Sequence, residues 1–149
     1  MKRTGCLMSA AVIAAVVAGV ICSAAEAADM QGGYGDASVM RSAQLAERIQ
    51  AGGVKTVGLF WVDLRNEADY KQSFIPGSIN IPYKKLSFLA EKFFSKSDEV
   101  IFLSYPDADH VSVNAVTFMK NKGFTNCSVL QGGIGGWTGD LETSAPDNR

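Results

Sequence analysis

The chain has 149 residues, and its 14 basic and 15 acidic side chains give a net charge of −1. This length is enough for one ordinary domain with a substantial core, and it is too short for several. Because there is no basic excess, the composition argues against nucleic acid as a partner.

The N-terminus has the pattern of an export signal. Lys2 and Arg3 precede an apolar stretch over residues 7–21, and Ala25-Glu26-Ala27 has the small-x-small pattern of a cleavage site. The apolar stretch is short for a membrane span. We therefore expect residues 1–27 to be removed as a signal peptide. The protein would then be exported, periplasmic or secreted, with no membrane attachment after cleavage.

The three cysteines are Cys6, Cys22 and Cys127. Cys6 and Cys22 lie in the expected signal peptide, so the mature domain would keep one cysteine and have no internal disulfide. Lipoprotein processing before Cys22 is the less favoured alternative, because Ile21 is bulky where a small residue is needed. Cys127 begins an apolar strand, where a lone cysteine is usually a small buried apolar residue.

The first half of the remaining chain alternates between helix and strand patterns. Glycine-rich residues 28–38 predict a flexible leader. After it come a helix capped by Ser42, a strand over residues 57–64, a short helix capped by Asn66, a short strand within residues 74–82, and a helix with apolar spacing from Leu86 to Phe94.

The second half continues the alternation. It predicts a strand ending at Leu103, a polar loop over residues 104–111, a helix from Ser112 to Lys122, a strand over residues 127–130, and a short terminal helix bearing Trp137; residues 142–149 are expected to be a disordered tail. Alternating strands and helices predict an α/β domain with a largely parallel sheet covered on both faces. In such sheets ligands bind outside the carboxyl ends of the strands.

Polar residues follow two of the predicted strands at that edge. Asp63 and Arg65 end one strand, and they could either orient the neighbouring loop by hydrogen bonds or form a structural ion pair. A strand that runs through a loop into a helix N-terminus can form an anion cradle. In that loop Tyr105 could close the mouth of the cradle or simply cover apolar surface, and Ser112 is predicted to cap the helix.

Other polar residues of the loop have competing interpretations. Ser104 and His110 could form a hydrolase pair, but the Gly-x-Ser-x-Gly pattern of a nucleophile elbow is absent. Asp107, Asp109 and His110 could bind zinc or calcium, although clustered polar residues without further ligands usually form a solvated loop. We therefore predict no metal at this loop.

Several segments, taken in order, resemble rhodanese-like domains. Residues 62–70, Val-Asp-Leu-Arg-Asn-Glu-x-x-Tyr, resemble the opening motif, and residues 75–82, Ile-Pro-Gly-Ser-Ile-Asn-Ile-Pro, resemble the Ile-Pro-Gly-Ala-x-Asn-Ile-Pro segment. Residues 123–126 and 130–137 resemble the C-terminal signature. Each piece is weak alone, but together they cover about residue 40 to residue 140 in order.

The resemblance implies a single domain over residues 39–141 with a five-stranded, mostly parallel sheet and helices on both faces. In this family the strand corresponding to Ile101–Leu103 leads into a cysteine. That cysteine takes sulfur from a donor such as thiosulfate and holds it as a persulfide. Ser104 stands at that position and fits the longer-loop form of the family. Aligning Pro106 instead would keep the short form, and neither alignment has a cysteine.

Further departures concern charge and neighbouring residues. Phe74 stands where the family usually has histidine, and Ser73 where it usually has glycine. Asp107 and Asp109 add negative charge to a loop that should attract an anionic donor. Two carboxylates roughly cancel the partial positive charge of about one half that a helix N-terminus offers.

The sequence therefore predicts an exported rhodanese-like domain without sulfurtransferase activity and without a cofactor. We expect it to bind an unknown small ligand or partner protein at residues 104–111. The alternative is an active thiosulfate or persulfide sulfurtransferase that uses Cys127 or a cysteine of a partner protein.

Overall fold

The computed structural model describes residues 33–52 and 58–144. The expected signal peptide lies outside the described residues. The strands are β1 (Ser38–Met40), β2 (Leu59–Asp63), β3 (Ile79–Asn80), β4 (Glu99–Leu103) and β5 (Asn126–Leu130). The helices are α1 (Ser42–Gln50), α2 (Glu67–Gln72), α3 (Tyr83–Phe93) and α4 (Asp109–Asn121), followed by a 3₁₀ turn (Gly133–Gly136).

The five strands form one sheet in the order β1-β5-β4-β2-β3, and every neighbouring pair is parallel. This confirms the predicted α/β fold with a five-stranded parallel sheet. Central strand β4 is apolar and buried from Val100 to Leu103, because both of its faces are covered there. Val100 and Phe102 lie in a cluster with α3 and α4, whereas Ile101 and Leu103 lie in a second cluster with Leu45 of α1.

The N-terminal boundary of the domain differs from the prediction. Ser38 already belongs to β1 and pairs with Ser128, although residues 28–38 were expected to form a flexible leader. Tyr34 and Ala37 pack against the cluster of α3 and α4. Residues 33–38 are therefore part of the fold, while residues 28–32 lie outside the described part of the chain.

The C-terminal boundary also differs. Glu142 and Phe74 exchange backbone hydrogen bonds as an isolated antiparallel bridge, and the Ser144 amide donates to the Lys71 carbonyl at 3.0 Å. Residues 142–144 of the expected disordered tail are thus attached to the domain. Residues 145–149 lie outside the described residues.

Two of the predicted N-terminal helix caps concern α1 and α2, and one of these two predictions is confirmed. Asn66 caps α2 as predicted, because its side-chain oxygen accepts from the Asp69 amide at 2.9 Å. Ser42 does not cap α1, since the cap position is Arg41. The Ser42 hydroxyl instead accepts from the Thr138 amide at 2.9 Å, so a tertiary contact replaces the predicted local one.

Within residues 33–52 and 58–144, no helix has both the length and the apolar character that a membrane crossing requires.

The centre of the sheet should be the most sensitive part of the core. We expect Phe102→Ala to lower the free energy of unfolding by about 3–5 kcal/mol, because Phe102 is fully buried on β4. Urea denaturation followed by circular dichroism measures the change. The matched control is Phe118→Ala on α4, whose ring is only partly buried. An equal loss in both variants would contradict this description of the core.

Candidate functional site

The β4–α4 loop, Ser104–Ala108, lies at the carboxyl edge of the sheet. β4 ends at Leu103, which pairs with Asp63 at the end of β2. The two polar segments that the sequence placed at strand ends therefore do meet at one edge. The loop is shorter than the predicted residues 104–111, because α4 already begins at Asp109.

Ser104 is buried at the base of this loop, with 1% of its surface exposed. Its hydroxyl donates to the Ala108 carbonyl at 2.8 Å, and its own carbonyl accepts from the Ile134 amide at 2.9 Å. The Ser104 side chain is thus directed at a hydrogen-bond acceptor. It does not donate to His110, which lies exposed on α4, so the structure does not show the Ser104–His110 pair that the sequence had already disfavoured.

The 3₁₀ turn packs against the loop at a distance that only glycine allows. A Cβ atom on Gly133 would lie 2.4 Å from the Ser104 carbonyl oxygen, and one on Gly135 would lie 2.9 Å from the Pro106 ring. Gly133 also has a φ of +55°, in the left-handed region. Gly133, which belongs to the segment that resembles the C-terminal signature, and Gly135 thus let the turn contact the loop closely.

Asp109 has a different role from the predicted one. Its carboxylate accepts from the Gly132 amide at 2.9 Å and from the Tyr34 hydroxyl. Burial, and then the Asp109 carboxylate, raise the pKa of Tyr34 to about 12. Asp109 therefore joins the N-terminal segment, the start of α4 and the turn after β5. The sequence analysis missed Tyr34, because it was assigned to the leader.

Tyr105 connects the loop to the N-terminus of α2. Its hydroxyl donates to the Asp69 carboxylate at 2.6 Å and accepts from the Asn66 amide group at 2.8 Å. The hydrogen bond to Asp69, and then burial, raise the pKa of Tyr105. The side chain is 38% exposed, so it forms part of the surface at this edge. That it closes a cradle mouth stays a prediction.

Asp63 and Arg65 form a buried ion pair at the end of β2, in which two guanidinium nitrogens contact the carboxylate at 2.7–3.0 Å. Arg65 also donates to the Ser73 carbonyl at 2.6 Å. Asn80 donates to the carbonyls of both Asp63 and Arg65. These contacts tie together β2, β3 and the end of α2, so they favour the structural interpretation of this pair over direct orientation of the loop.

The remaining predicted site residues are dispersed. Ser112 is not a helix cap, because it lies within α4, fully buried, and its hydroxyl has no hydrogen-bond partner in the described part of the chain. Asp107 is exposed and adopts a φ of +59°, which is uncommon for a residue with a side chain. Among the described residues, no group of three histidine, cysteine, aspartate or glutamate side chains is placed to hold a metal ion.

Cys127 lies near the amino ends of the strands, whereas the β4–α4 loop lies at their carboxyl ends. It pairs with Val100, four residues before Ser104 along β4, which corresponds to about 13 Å along the strands. Its side chain is 3% exposed, and burial raises the pKa of its thiol to about 11. The only cysteine in the described residues is therefore both distant from the loop and poorly ionised.

The Tyr34–Asp109 contact should contribute to stability. We expect Tyr34→Phe to lower the free energy of unfolding by about 1–2 kcal/mol, because the carboxylate of Asp109 loses a donor and its Oδ1 has no partner in the described part. Chemical denaturation measures the effect. Tyr83→Phe, which alters a more exposed tyrosine on α3, is the control and should be neutral. Equal stability of all three proteins would contradict this assignment.

Burial of the Cys127 thiol predicts a dependence of stability on pH. The folded pKa of about 11 lies above the ordinary thiol value of 9.0, so folding favours the protonated thiol. This contribution is fully present below pH about 9 and is lost as the pH rises through about 11. Unfolding free energies measured across that window should fall less steeply in Cys127→Ala than in the parent protein. Identical slopes would contradict the raised pKa.

Comparisons with known proteins agree with this architecture. The family model "Rhodanese-like domain" matches residues 42–140. The BH2092 protein from Bacillus halodurans is 28% identical, with a TM-score of 0.63 and coverage of 72% of this chain and 77% of that one. The Alr3790 protein from Anabaena sp. is 23% identical, with a TM-score of 0.63 and coverage of 70% and 80%.

A more distant structure carries an enzyme name. The thiosulfate sulfurtransferase from Pseudomonas aeruginosa is 18% identical, with a TM-score of 0.61 and coverage of 72% of this chain and 20% of that one. At this identity the likeness concerns the fold alone. No curated protein is significantly similar. The family model covers most of the chain and the sheet order is that of an α/β domain, so the chain belongs to the family of rhodanese-like domains.

Proposed function

We propose that this chain is an exported rhodanese-like domain that has lost sulfur transfer. In this proposal Ser104 occupies the position of the family's cysteine. The domain acts as a binding or regulatory module that presents the β4–α4 loop to a small ligand or a partner protein. The observation that carries the proposal is the hydrogen bond from the Ser104 hydroxyl to the Ala108 carbonyl.

That hydrogen bond suits a neutral hydroxyl and opposes an anion. Sulfur transfer by the family requires a thiolate, which N–H groups around it would stabilise. Here the side chain at the base of the loop faces a carbonyl oxygen at 2.8 Å. A hydroxyl can donate to that oxygen, but a thiolate would be repelled by it. The position therefore lacks the sulfur atom, and the acceptor beside it disfavours an ionised thiol.

The charges around the loop also disfavour sulfur transfer. Asp69 is bonded to Tyr105, and Asp107 lies exposed within the loop. The Arg65 guanidinium at the same edge is already bonded to Asp63 and to a backbone carbonyl. An anionic sulfur donor would meet carboxylates here without a free guanidinium from Arg65 to offset them. A neutral ligand, or a partner group that can donate hydrogen bonds, suits this edge better.

The alternative of an active sulfurtransferase receives little support from Cys127. Its thiol is buried, its pKa is raised, and it lies across the sheet from the loop. Sulfur carriage by Cys127 would require it to become exposed. Sulfur transfer through a cysteine of a partner protein stays an alternative. It can be tested by measuring sulfur transfer from thiosulfate to a thiol acceptor in place of cyanide.

The test compares the parent chain, residues 28–149, with Ser104→Cys in a Cys127→Ala background, so that each protein has one thiol. We expect no sulfur transfer from thiosulfate to cyanide by the parent and no added sulfur on its intact mass. We expect the thiol introduced at position 104 to keep a pKa at or above the usual value. Each pKa unit above the assay pH lowers the reactive thiolate about tenfold, so restored activity should be poor.

Two outcomes would contradict the proposal. Parent activity at ordinary enzyme rates, with one sulfur atom added to the mass and lost in Cys127→Ala, would establish the alternative. Full activity of Ser104→Cys, with a low thiol pKa from the pH dependence of alkylation, would show that the loop still stabilises an anion. The single variant Cys127→Ala controls for folding, and circular dichroism checks each protein.

A further inference from the structure

The outward face of α3 carries an exposed aromatic ring surrounded by lysines. Phe88 is 75% exposed, the largest exposure among the large hydrophobic residues that the structure describes. It lies opposite Leu86 and Ala90, which are the buried residues of α3. A helix normally carries a charged or polar residue at the centre of its solvent face. Burial in the core does not account for a phenylalanine there.

The neighbours of Phe88 on the helix surface are mostly basic. Residues three and four positions away lie beside it. These are Lys84, Lys85, Glu91 and Lys92. Glu91 is neutralised by Lys96 at 3.1 Å, and Lys85 pairs with Glu67 of α2 at 2.6 Å.

Two cations of this face are not compensated. Lys84 and Lys92 form no ion pair with any residue in the described part of the chain. They lie one helical turn on either side of Phe88, about 6 Å away along the helix axis. The face therefore combines an apolar centre with positive charge at both ends, within a chain whose net charge is slightly negative.

We propose that this surface, Lys84, Phe88 and Lys92, docks reversibly on a membrane that contains anionic lipids. The Phe88 ring would enter the boundary between head groups and acyl chains. Lys84 and Lys92 would keep their ammonium groups at the lipid phosphates, as lysines at interfaces do.

Two observations favour a lipid surface over an acidic protein as the occupant. The face is the outside of a helix with one projecting ring, which suits a flat, deformable surface, whereas an acidic protein would need a matching pocket. In addition, Lys84 and Lys92 have no carboxylate partner among the described residues and flank Phe88 within one helical turn, and lysines beside an exposed aromatic ring are typical of helices that contact anionic lipids. The proposed contact is peripheral and reversible, and it revises the sequence-based expectation of no membrane attachment after cleavage. The docking surface is separate from the β4–α4 loop and does not depend on the loss of sulfur transfer.

The experiment is co-flotation of residues 28–149, which include every residue of both core clusters, with lipid vesicles. We expect binding to vesicles of equal parts phosphatidylglycerol and phosphatidylcholine, and little binding to phosphatidylcholine alone. Raising the salt concentration should weaken the binding, because the lysine contribution is screened. Equal binding to both kinds of vesicle, or none to either, would overturn the proposal.

Variants separate the two components of the surface. Phe88→Ser should weaken vesicle binding by more than about tenfold, from the loss of an inserted ring. Charge reversal of Lys84 and Lys92 to glutamate should weaken it by more than about 25-fold, at about fivefold per lysine. The matched controls are Leu141→Ser and Lys71→Glu, which change an exposed apolar residue and an exposed lysine elsewhere and should bind as the parent does.

The remaining outcomes also decide the question. If the lysine variant loses binding but Phe88→Ser does not, the attraction is only electrostatic and the proposed insertion is wrong. A different result would be that the parent binds soluble poly-glutamate, that Phe88→Ser weakens this binding, and that the parent does not bind vesicles. The occupant would then be an acidic chain, and the lipid proposal would be overturned. Circular dichroism confirms that the substituted proteins keep their helix content.

Discussion

Ser104 is fixed by contacts on two sides. The arrangement of the β4–α4 loop at the carboxyl edge of the sheet depends on these contacts. On one side the Ile134 amide donates to the Ser104 carbonyl, and Gly133 approaches so closely that any side chain would collide with it. On the other side the Ser104 hydroxyl is bonded to Ala108, where α4 begins. Asp109 extends the same connection to Gly132 and Tyr34. These contacts thus attach the loop to three other segments of the chain.

These attachments bear on the proposed replacement of the family's cysteine by Ser104. A loop that could rearrange would turn amide groups toward a new anion at its base, but a loop fastened by glycine contacts and a carboxylate keeps its acceptor in place. Tyr105 adds a further attachment through Asp69. Under the proposed function, the fold of the family is kept in this chain without its chemistry, because the same sheet supports a loop whose base suits a hydroxyl.

The sequence was informative where the signal is local. The apolar run through Val100 and Phe102 predicted the central strand, and Asn66 predicted the start of α2, because burial and capping act within a few residues. β1 has three residues and pairs only with β5, about ninety residues away, so no local pattern marks it. Tyr34 was missed for the same reason, since its partner lies on α4. The early start of α4 at Asp109 was missed because its cap, Ala108, has no side-chain hydrogen bond.

The pairing of the first strand with the last one has a consequence for biogenesis. β1 sits at the edge of the sheet and has no neighbour there except β5. A ribosome must therefore synthesise the chain almost to its end before its beginning can dock. Until β5 has been synthesised, β1 has no neighbouring strand to pair with. Late closure of this kind is compatible with the export that we propose for this chain.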